Sequence, residues 1–209
     1  MARIEAAGTL AGTGAALMEG SLRLFRNFDV ATFWRFTLRM SHPPKVVLRE
    51  VVESDMPIFF EHQLDPDAVR MAAFPSRDHD AFMTHWGKLR REPSNINRTI
   101  VCDGQVVGNV GSWIAEDRRL VCYWIGREFW GRGIATAALA AFVAEVKERP
   151  LHAFVAEHNV GSIRVLEKCA FVQFPEHDPS VAGEDGIHEV HYVLSQRGAR
   201  LRVNKSHRR

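Results

Sequence analysis

The sequence predicts an α/β fold with a mixed central sheet and flanking helices. Leu120–Ile125 is apolar at every position, as in a strand that is covered on both faces. A helical stripe follows from Ile134 to about Lys147, and a second apolar run, Leu151–Ala156, comes after it. Because two strands joined through a helix run parallel with a right-handed crossover, these segments predict a β-α-β unit.

The segments before this unit predict a strand, two helices and an antiparallel hairpin. Thr99–Cys102 and Gln105–Ile114 are rich in β-forming residues and flank Asp103-Gly104, a turn typical of hairpins. Phe82 and Trp86 are four residues apart, as on one face of a helix. The upstream segments are, in order, a strand, a helix, a proline-containing break and a second helix: Val46–Val51, Glu53–Leu64, Asp65–Asp67 and Asp78–Arg91.

Three shorter elements are predicted after the unit. Val160–Cys169 predicts a helix that carries Ile163 and Leu166 on one side. Phe171–Phe174 and Glu189–Leu194 predict two strands that close the sheet, and a polar, acidic loop connects them.

Composition and charge divide the chain into three parts. The 209 residues are 46% hydrophobic and 25% charged, which is typical of a globular protein and excludes a wholly disordered chain. Residues 46–195 contain 15 basic and 22 acidic residues, whereas residues 196–209 contain six basic residues and no acidic one. We therefore expect an N-terminal extension at 1–44, a single domain at 45–195 and a basic C-terminal tail at 196–209.

The extension and the tail leave several interpretations open. The extension is expected to be disordered, to lie upstream of a true start at Met40, or to form a basic amphipathic helix. Its aromatic residues would alternatively cover the domain or form a homodimer contact. Glu5 and Glu19 interrupt any secretory signal, and no run of about 18 strongly apolar residues predicts a membrane span. We expect the basic tail to be solvated rather than to bind nucleic acid.

The cysteines predict a reducing compartment. Cys102, Cys122 and Cys169 are odd in number, far apart and in apolar contexts, so they do not form a disulfide framework and we expect a cytoplasmic protein. Cys122 and Cys169 are expected to be core residues rather than nucleophiles. No cysteine pair has zinc-site spacing, and His188 and His191 would face opposite sides of a strand, so no metal is expected.

A glycine-containing turn connects the first apolar strand to the following helix. Gly131 and Gly133 carry no side chains, so backbone N–H groups can approach a ligand closely. The helix begins at once, and its free N–H groups and positive dipole end form an anion site to which Arg132 adds a charge. The turn therefore predicts a ligand with a phosphate or pyrophosphate, and its alternative role is a tight strand-to-helix connection.

Three segments around this turn carry a family resemblance. Trp130–Ala135 matches Gln/Arg-x-x-Gly-x-Gly/Ala, with Trp130 in place of Gln or Arg, and Tyr123–Ile125 precedes it. Asn159–Phe171 matches Asn-x-x-Ser-x-x-x-Leu-Glu-Lys-x-Gly-Phe, with Ala170 in place of Gly. In this order the segments resemble the GNAT superfamily of acyl-CoA-dependent N-acyltransferases, and in particular its ribosomal-protein-alanine and -serine acetyltransferase branch. The resemblance covers about residues 46–195.

The resemblance implies the architecture and the co-substrate. A GNAT fold has a mixed central sheet that splays between two parallel strands, here 120–125 and 151–156, and acetyl-CoA enters the opening. Backbone groups of Ile125 and Arg127 would hold its pantetheine arm, and Asn159 would lie beside it. The backbone N–H groups that would bind its pyrophosphate are those of Gly131, Arg132, Gly133, Ile134, Ala135 and Thr136.

The resemblance also points to the catalytic residues. Many members of the family carry an acid Tyr seven residues after the Asn, where this sequence has Leu166, so we expect Ser162 to protonate the leaving thiolate. Asn159 is the second candidate, with helix N-cap as its alternative role. The N–H of Ile125 would bind the oxyanion. The base is left open among Glu116, Glu184, Glu189 and a water chain.

The expected function is transfer of an acetyl group from acetyl-CoA to a primary amine of a small molecule or a protein N-terminus by direct attack on the thioester. The alternative is a degenerate GNAT domain that acts as a CoA-binding sensor or scaffold. Residues 176–186 contain four acidic residues and no Lys or Arg. Because clefts of one charge concentrate the opposite ion, this loop predicts a cationic acceptor, and its alternative role is a solvated surface loop.

Overall fold

The computed structural model describes residues 44–174 and 188–195. The acidic loop that contains Glu184, the chain up to residue 43 and the tail at 196–209 lie outside these residues, so their interpretations stay predictions. The described elements are β1 (Val46–Glu50), α1 (Met56–Leu64), α2 (Pro66–Ala72), α3 (His79–Arg91), β2 (Ile96–Cys102), β3 (Gln105–Ala115), β4 (Arg118–Ile125), α4 (Ile134–Glu145), β5 (Leu151–Ala156), α5 (Val160–Lys168), β6 (Val172–Gln173) and β7 (Glu189–Leu194).

The sheet is mixed and it splays, as predicted. Its strand order is β1-β2-β3-β4-β5-β7-β6, and β4 and β5 are the parallel pair in it. These two strands pair only through Arg119 with Leu151 and Leu120 with His152. Beyond Leu120 they diverge, while β5 continues to pair with β7 as far as Ala156. The carboxyl ends of β4 and β5 therefore border an opening in the sheet.

Helix α4 packs on one face of the sheet through the predicted stripe. Ile134, Ala138, Leu139 and Phe142 are each at most 1% exposed. This spacing puts them on one side of the helix, where they meet buried residues of several strands. The helix ends at Glu145, slightly before the expected Lys147. Burial of the stripe fixes the start of α4 beside the end of β4.

A second hydrophobic cluster holds α1 and α3 together. Phe59 of α1 and Trp86 of α3 have ring centroids 5.1 Å apart, and Phe82 packs against Trp86 at 6.2 Å. The predicted pairing of Phe82 with Trp86 on one helix face is confirmed, since both side chains are buried. The cluster fixes α1 relative to the longer α3.

The start of α1 is tied to the sheet by Asp55, which is 1% exposed. Its carboxylate accepts hydrogen bonds from Nη1 and Nη2 of Arg49 at 2.6 and 2.7 Å and from Oγ1 of Thr99 at 2.6 Å. It also accepts one from the Val52 backbone N–H at 3.0 Å. Because Arg49 lies on β1 and Thr99 on β2, a single carboxylate joins two strands to the start of the helix.

Two sequence expectations require correction, and the first concerns Asp65–Asp67. This segment ends α1 but also begins α2, a helix that the sequence interpretation missed. The carboxylate of Asp65 accepts hydrogen bonds from the N–H groups of Asp67 and Ala68, and Pro66 occupies the first helical position. Asp at the N-cap followed by Pro is a helix-start signal, so the segment is a start as well as a break.

The second correction concerns Cys122, which is exposed rather than part of the core, although the protein atoms around its thiol raise the pKa of that group to about 11. Val121 and Ile125 of the same strand are buried in the core cluster that contains α4. Cys122 faces the other side of β4, beyond the point where β5 diverges, so the continuous apolar run does not mean burial on both faces. Cys169 is buried, as expected.

Candidate active site

The turn between β4 and α4 has the backbone that close approach to an anion requires. Gly131 and Gly133 have φ values of 72° and 76°, in the left-handed region that favours glycine. A Cβ built at either position would meet no atom within 4 Å, so the space above the turn is open. Gly133 is the N-cap of α4 and provides no side-chain cap. The first N–H groups of α4, from Ile134 to Thr136, therefore lie at an uncapped helix N-terminus.

The end of β4 directs Ile125 toward the opening. The N–H of Gly126 donates to the C=O of Val107 on β3 at 3.0 Å, so by strand alternation the backbone groups of Ile125 point away from β3. Nε1 of Trp130 donates to the Ile125 C=O at 2.8 Å. Trp130, which replaces the usual Gln or Arg of the motif, thus closes the turn onto the strand. The backbone positions predicted for the pantetheine arm border the opening.

The first turn of α5 faces β4 across the same opening. Oδ1 of Asn159 accepts a hydrogen bond from the Ser162 N–H at 3.0 Å, so the N-cap role of Asn159 is confirmed. The Tyr123 hydroxyl of β4 donates to the Ser162 C=O at 3.2 Å. This contact brings Ser162 close to the strand that ends at Ile125. Leu166, at the position of the family's Tyr, is 2% exposed and belongs to the core.

Tyr123 lies at the site, although the sequence predicted no role for it beyond its place in the family motif. Burial raises the pKa of its phenol to about 12, and the hydrogen bond to Ser162 opposes that rise. The hydroxyl therefore stays protonated at neutral pH and acts as a donor. Its presence in the motif was visible in the sequence, but its contact with Ser162 spans 39 residues and depends on the fold.

His62 is a second residue that sequence interpretation missed. It lies in the last turn of α1 and is 7% exposed. A Cβ added at Gly126 would be 2.5 Å from its Nε2, so the imidazole packs directly against the backbone that follows β4. Its own C=O accepts a hydrogen bond from Nε1 of Trp124 at 3.1 Å. A single histidine on a helix has no spacing pattern, so only the fold could place it there.

Positively and negatively charged side chains both lie around the opening. Nη2 of Arg127 lies 2.5 Å from Oδ2 of Asp67, and Nη1 lies 3.8 Å from Asp65, so the guanidinium is held by the start of α2. Arg132 is exposed, with its guanidinium 5.7 Å from the Phe129 ring centroid. Arg132 therefore provides the predicted positive charge at the turn, whereas the charge of Arg127 is paired.

The candidate bases differ in position. Glu116 has a φ of 49° in the turn before β4, which is the end of the strand opposite Ile125, so this candidate does not reach the site. Glu189 pairs with Ala156 at the carboxyl end of β5, and burial raises the pKa of its carboxyl group. Glu184 lies outside the described residues.

The histidines of β5 and β7 form a stacked pair. Nδ1 of His152 and Nε2 of His191 are 2.9 Å apart, and the Phe154 ring stacks on His191 at 4.5 Å. Burial and the neighbouring His152 and Arg118 lower the pKa of His191 to about 4, so both imidazoles are neutral at pH 7. Within residues 44–174 and 188–195 no group of three or more His, Cys, Asp or Glu side chains could hold a metal ion. No helix in these ranges is long and apolar enough to cross a membrane.

The parting of two parallel strands beside a glycine turn and an uncapped helix N-terminus forms a site that suits a ligand with phosphate groups, as the resemblance to acyl-CoA-dependent acyltransferases implies. Residues 45–172 match the family model of the acetyltransferase (GNAT) domain, and the chain belongs to this family. Because the family model describes an acetyltransferase, the chain is an N-acetyltransferase and acetyl-CoA is its co-substrate. Comparison with curated protein sequences gave no match.

Solved structures with the same fold are distant in sequence. An acetyltransferase from Thermus thermophilus is 18% identical with a TM-score of 0.60, over 74% of this chain and 99% of that chain. The aminoglycoside acetyltransferase AAC(6')-Ib in complex with coenzyme A is 18% identical with a TM-score of 0.61, over 73% and 95%. The ribosomal L7/L12 alpha-N-protein acetyltransferase RimL in complex with coenzyme A is 19% identical with a TM-score of 0.61, over 72% and 93%.

Proposed function

We propose that the domain at 45–195 transfers the acetyl group of acetyl-CoA to a primary amine of a small molecule or a protein N-terminus by direct attack on the thioester. The observation that carries this proposal is the opening between β4 and β5, bordered by the glycine turn and by the first turn of α5. Acetyl-CoA supplies the activated acetyl group. The three cysteines of the described chain are free, which supports a cytoplasmic, reducing location.

The test is a thiol-release screen of the full chain with acetyl-CoA and chemically diverse amines. Turnover with at least one primary amine, and no acetylated enzyme in a single-turnover mass spectrum, is the expected result. Acetyl-CoA binding without thiol release against every amine would instead favour the CoA-binding sensor or scaffold.

The residues of the turn and of β4 would bind and orient acetyl-CoA. The N–H groups of Gly131–Thr136 would bind the pyrophosphate, because the helix N-terminus there is uncapped and the dipole of α4 favours negative charge. Backbone groups of Ile125 and Arg127 would hold the pantetheine arm, and the N–H of Ile125 would stabilise the oxyanion. Asn159 keeps the first turn of α5 in position through its bond to Ser162.

Ser162 is our candidate for the acid that protonates the departing thiolate. Its N–H is held by Asn159 and its C=O by the Tyr123 hydroxyl, so two hydrogen bonds fix its backbone at the opening. The side-chain hydroxyl can then donate to sulfur without a large loss of conformational freedom. Leu166 at the usual Tyr position cannot do so because it is apolar and buried.

A Ser162→Ala variant is expected to lower kcat by about tenfold to a hundredfold, because a positioned acid contributes at least that much. The dissociation constant of acetyl-CoA should change little, since the Asn159 bond is made by the Ser162 backbone N–H. Stopped-flow thiol release under conditions where chemistry limits the rate measures the effect. Thr84→Ala, on an exposed face of α3, is the control. An unchanged kcat would leave Ser162 only a helix-start residue.

We further propose that the acceptor is cationic. Glu128 follows Arg127 and has a side chain that is 62% exposed, whereas the nearby Asp65 and Asp67 are paired with Arg127 and Arg70. Residues 46–195 carry seven more acidic than basic residues, 22 against 15. The related fold of AAC(6')-Ib has been solved in complex with acetyl-CoA or coenzyme A together with an aminoglycoside. A positively charged amine would be concentrated by such a cleft.

Replacing Glu184 with Gln and Asp185 with Asn together tests the acidic loop, which lies outside the described residues. The double variant should have a higher KM for the amine, an unchanged KM for acetyl-CoA and a weaker salt dependence of the amine KM, because steering by charge is screened by salt. Steady-state kinetics at low and high ionic strength measures all three. If the amine KM is unchanged at low ionic strength, the loop has no steering role.

A further inference from the structure

The indole of Trp130 joins the glycine turn before α4 to the end of β4. Its Nε1 donates a hydrogen bond to the C=O of Ile125 at 2.8 Å. Trp130 is 41% exposed, although tryptophan usually stabilises a fold through the large apolar surface that it buries. The hydrogen bond, rather than burial, therefore gives this ring its position.

The glycine turn itself has few side chains that could hold it in place. A Cβ built at Gly131 or at Gly133 would meet no atom within 4 Å, and Arg132 between them is exposed. At the helix end, the turn is fixed by Ile134, which is 1% exposed and part of the core cluster. At the strand end, the hydrogen bond of Trp130 connects the turn to β4. The position of the turn therefore depends on these two anchors.

The carbonyl that accepts this hydrogen bond faces the opening between β4 and β5. The N–H of Gly126 donates to the C=O of Val107 on β3 at 3.0 Å. Because the C=O and the N–H of one trans peptide point in opposite directions, the C=O of Ile125 points away from β3. The short helical turn Arg127–Phe129 separates Ile125 from Trp130, and the indole reaches back past it to the strand. The bond therefore sets how far the glycine turn lies from the end of β4.

This separation matters because acetyl-CoA would bind at both places at once. In our proposed function, the backbone of Ile125 holds the pantetheine arm and the thioester, and the N–H groups of Gly131–Thr136 bind the pyrophosphate. The two parts of the co-substrate are covalently linked, so both bind well together only if their sites lie at the matching distance. A thioester that is misplaced by about 1 Å can lower the rate by about a hundredfold.

We propose that Trp130 is a positioning residue that sets the distance between the pyrophosphate site and the thioester site. The inference rests on the proposed function. It gives a role to the residue at which this chain departs from the Gln or Arg of the family motif. The indole acts through the C=O of Ile125 and through the glycine turn, and it needs no contact with the co-substrate itself.

The test is a Trp130→Phe variant of the full chain with two acetyl donors. Phe keeps an aromatic ring but has no N–H, and the position is 41% exposed, so the variant should fold. With the amine that the wild type uses best, kcat/KM for acetyl-CoA should fall by about tenfold to a hundredfold. For S-acetylpantetheine, which ends before the pyrophosphate, kcat/KM should fall by less than about twofold, because this donor does not bind the turn.

Trp124→Phe is the matched control. Nε1 of Trp124 donates to the C=O of His62 at 3.1 Å, so the substitution removes the same kind of hydrogen bond from the same strand. That bond connects β4 to α1 rather than to the glycine turn, so any loss of rate should be equal for the two donors. An equal loss for both donors in Trp130→Phe would overturn the inference, because it would mean a general disturbance of the site.

Calorimetry separates this inference from the proposed function, because binding requires no turnover. In Trp130→Phe the dissociation constant of acetyl-CoA should rise by about tenfold. That of ADP, which carries a pyrophosphate without a pantetheine arm, should change by less than about twofold. An unchanged dissociation constant of acetyl-CoA would contradict the positioning role of Trp130. If acetyl-CoA binding weakens as expected but the wild type turns over no amine, the proposed function fails and the positioning role stands.

Discussion

A Gly133→Glu variant is expected to bind acetyl-CoA at least about a thousandfold more weakly than the wild type, a loss of about 4 kcal/mol. The new carboxylate would stand at the uncapped start of α4, where its charge repels a pyrophosphate and satisfies the free N–H groups itself. The space above Gly133 is open, so the side chain displaces no protein atom. Isothermal titration calorimetry with acetyl-CoA measures the loss.

The control for backbone strain is Gly104→Glu in the β2–β3 turn. Gly104 also has a left-handed φ, 84°, and no atom within 4 Å of a built Cβ, so both substitutions carry a similar strain of about 1–2 kcal/mol. The two variants should therefore have similar thermal unfolding, and only Gly133→Glu should lose acetyl-CoA. Unchanged calorimetric binding in a folded Gly133→Glu protein would show that the glycine turn is only a tight connection.

An Asp55→Ala variant should lose about 3 kcal/mol of the free energy of unfolding. The substitution removes the common partner of Arg49, Thr99 and the Val52 N–H, and Thr99 is fully buried. Breaking a buried charged pair by removing one side costs about 3–5 kcal/mol, and the low end applies because the Arg49 side chain is 37% exposed. Urea unfolding followed by circular dichroism measures it. Asp80→Ala is the control, since the side chain of Asp80 is fully exposed.

The contribution of Asp55 should also depend on pH. Burial alone would raise the pKa of its carboxyl group, but the hydrogen bonds from Arg49, Thr99 and Val52 outweigh it, and the pKa is lowered from 3.8. A carboxyl group with a depressed folded pKa stabilises the protein above its unfolded pKa and loses that contribution as the pH falls through the folded value. The difference in stability between wild type and Asp55→Ala should therefore be constant at neutral pH and shrink below about pH 4. A difference that grows on acidification would contradict this assignment.

Local sequence was sufficient for the features that depend on neighbouring residues. The hairpin turn at Asp103-Gly104 was predictable from the sequence because both residues adopt positive φ values, 50° and 84°, which Asp and Gly tolerate better than most residues. The strands of the β-α-β unit followed from their apolar runs, and Gly131 and Gly133 marked the turn that leads into α4. These features predicted the fold class and the family, which are confirmed, and an anion site at the turn, which stays a prediction.

Only the tertiary structure decided which side chains meet at the opening. A continuous apolar run cannot show where a strand loses its neighbour, so it predicted neither the divergence after Leu120 in this chain nor the exposure of Cys122. His62 had no signal at all, because its environment is built from Gly126 and Glu128, more than 60 residues away along the chain. Hydrophobic periodicity predicts which face of a helix or strand is buried, whereas the burial of the His62 imidazole depends on how α1 crosses the end of β4. That crossing is set by the Asp55 contacts with β1 and β2 and by the cluster with α3, which act together only in the folded chain.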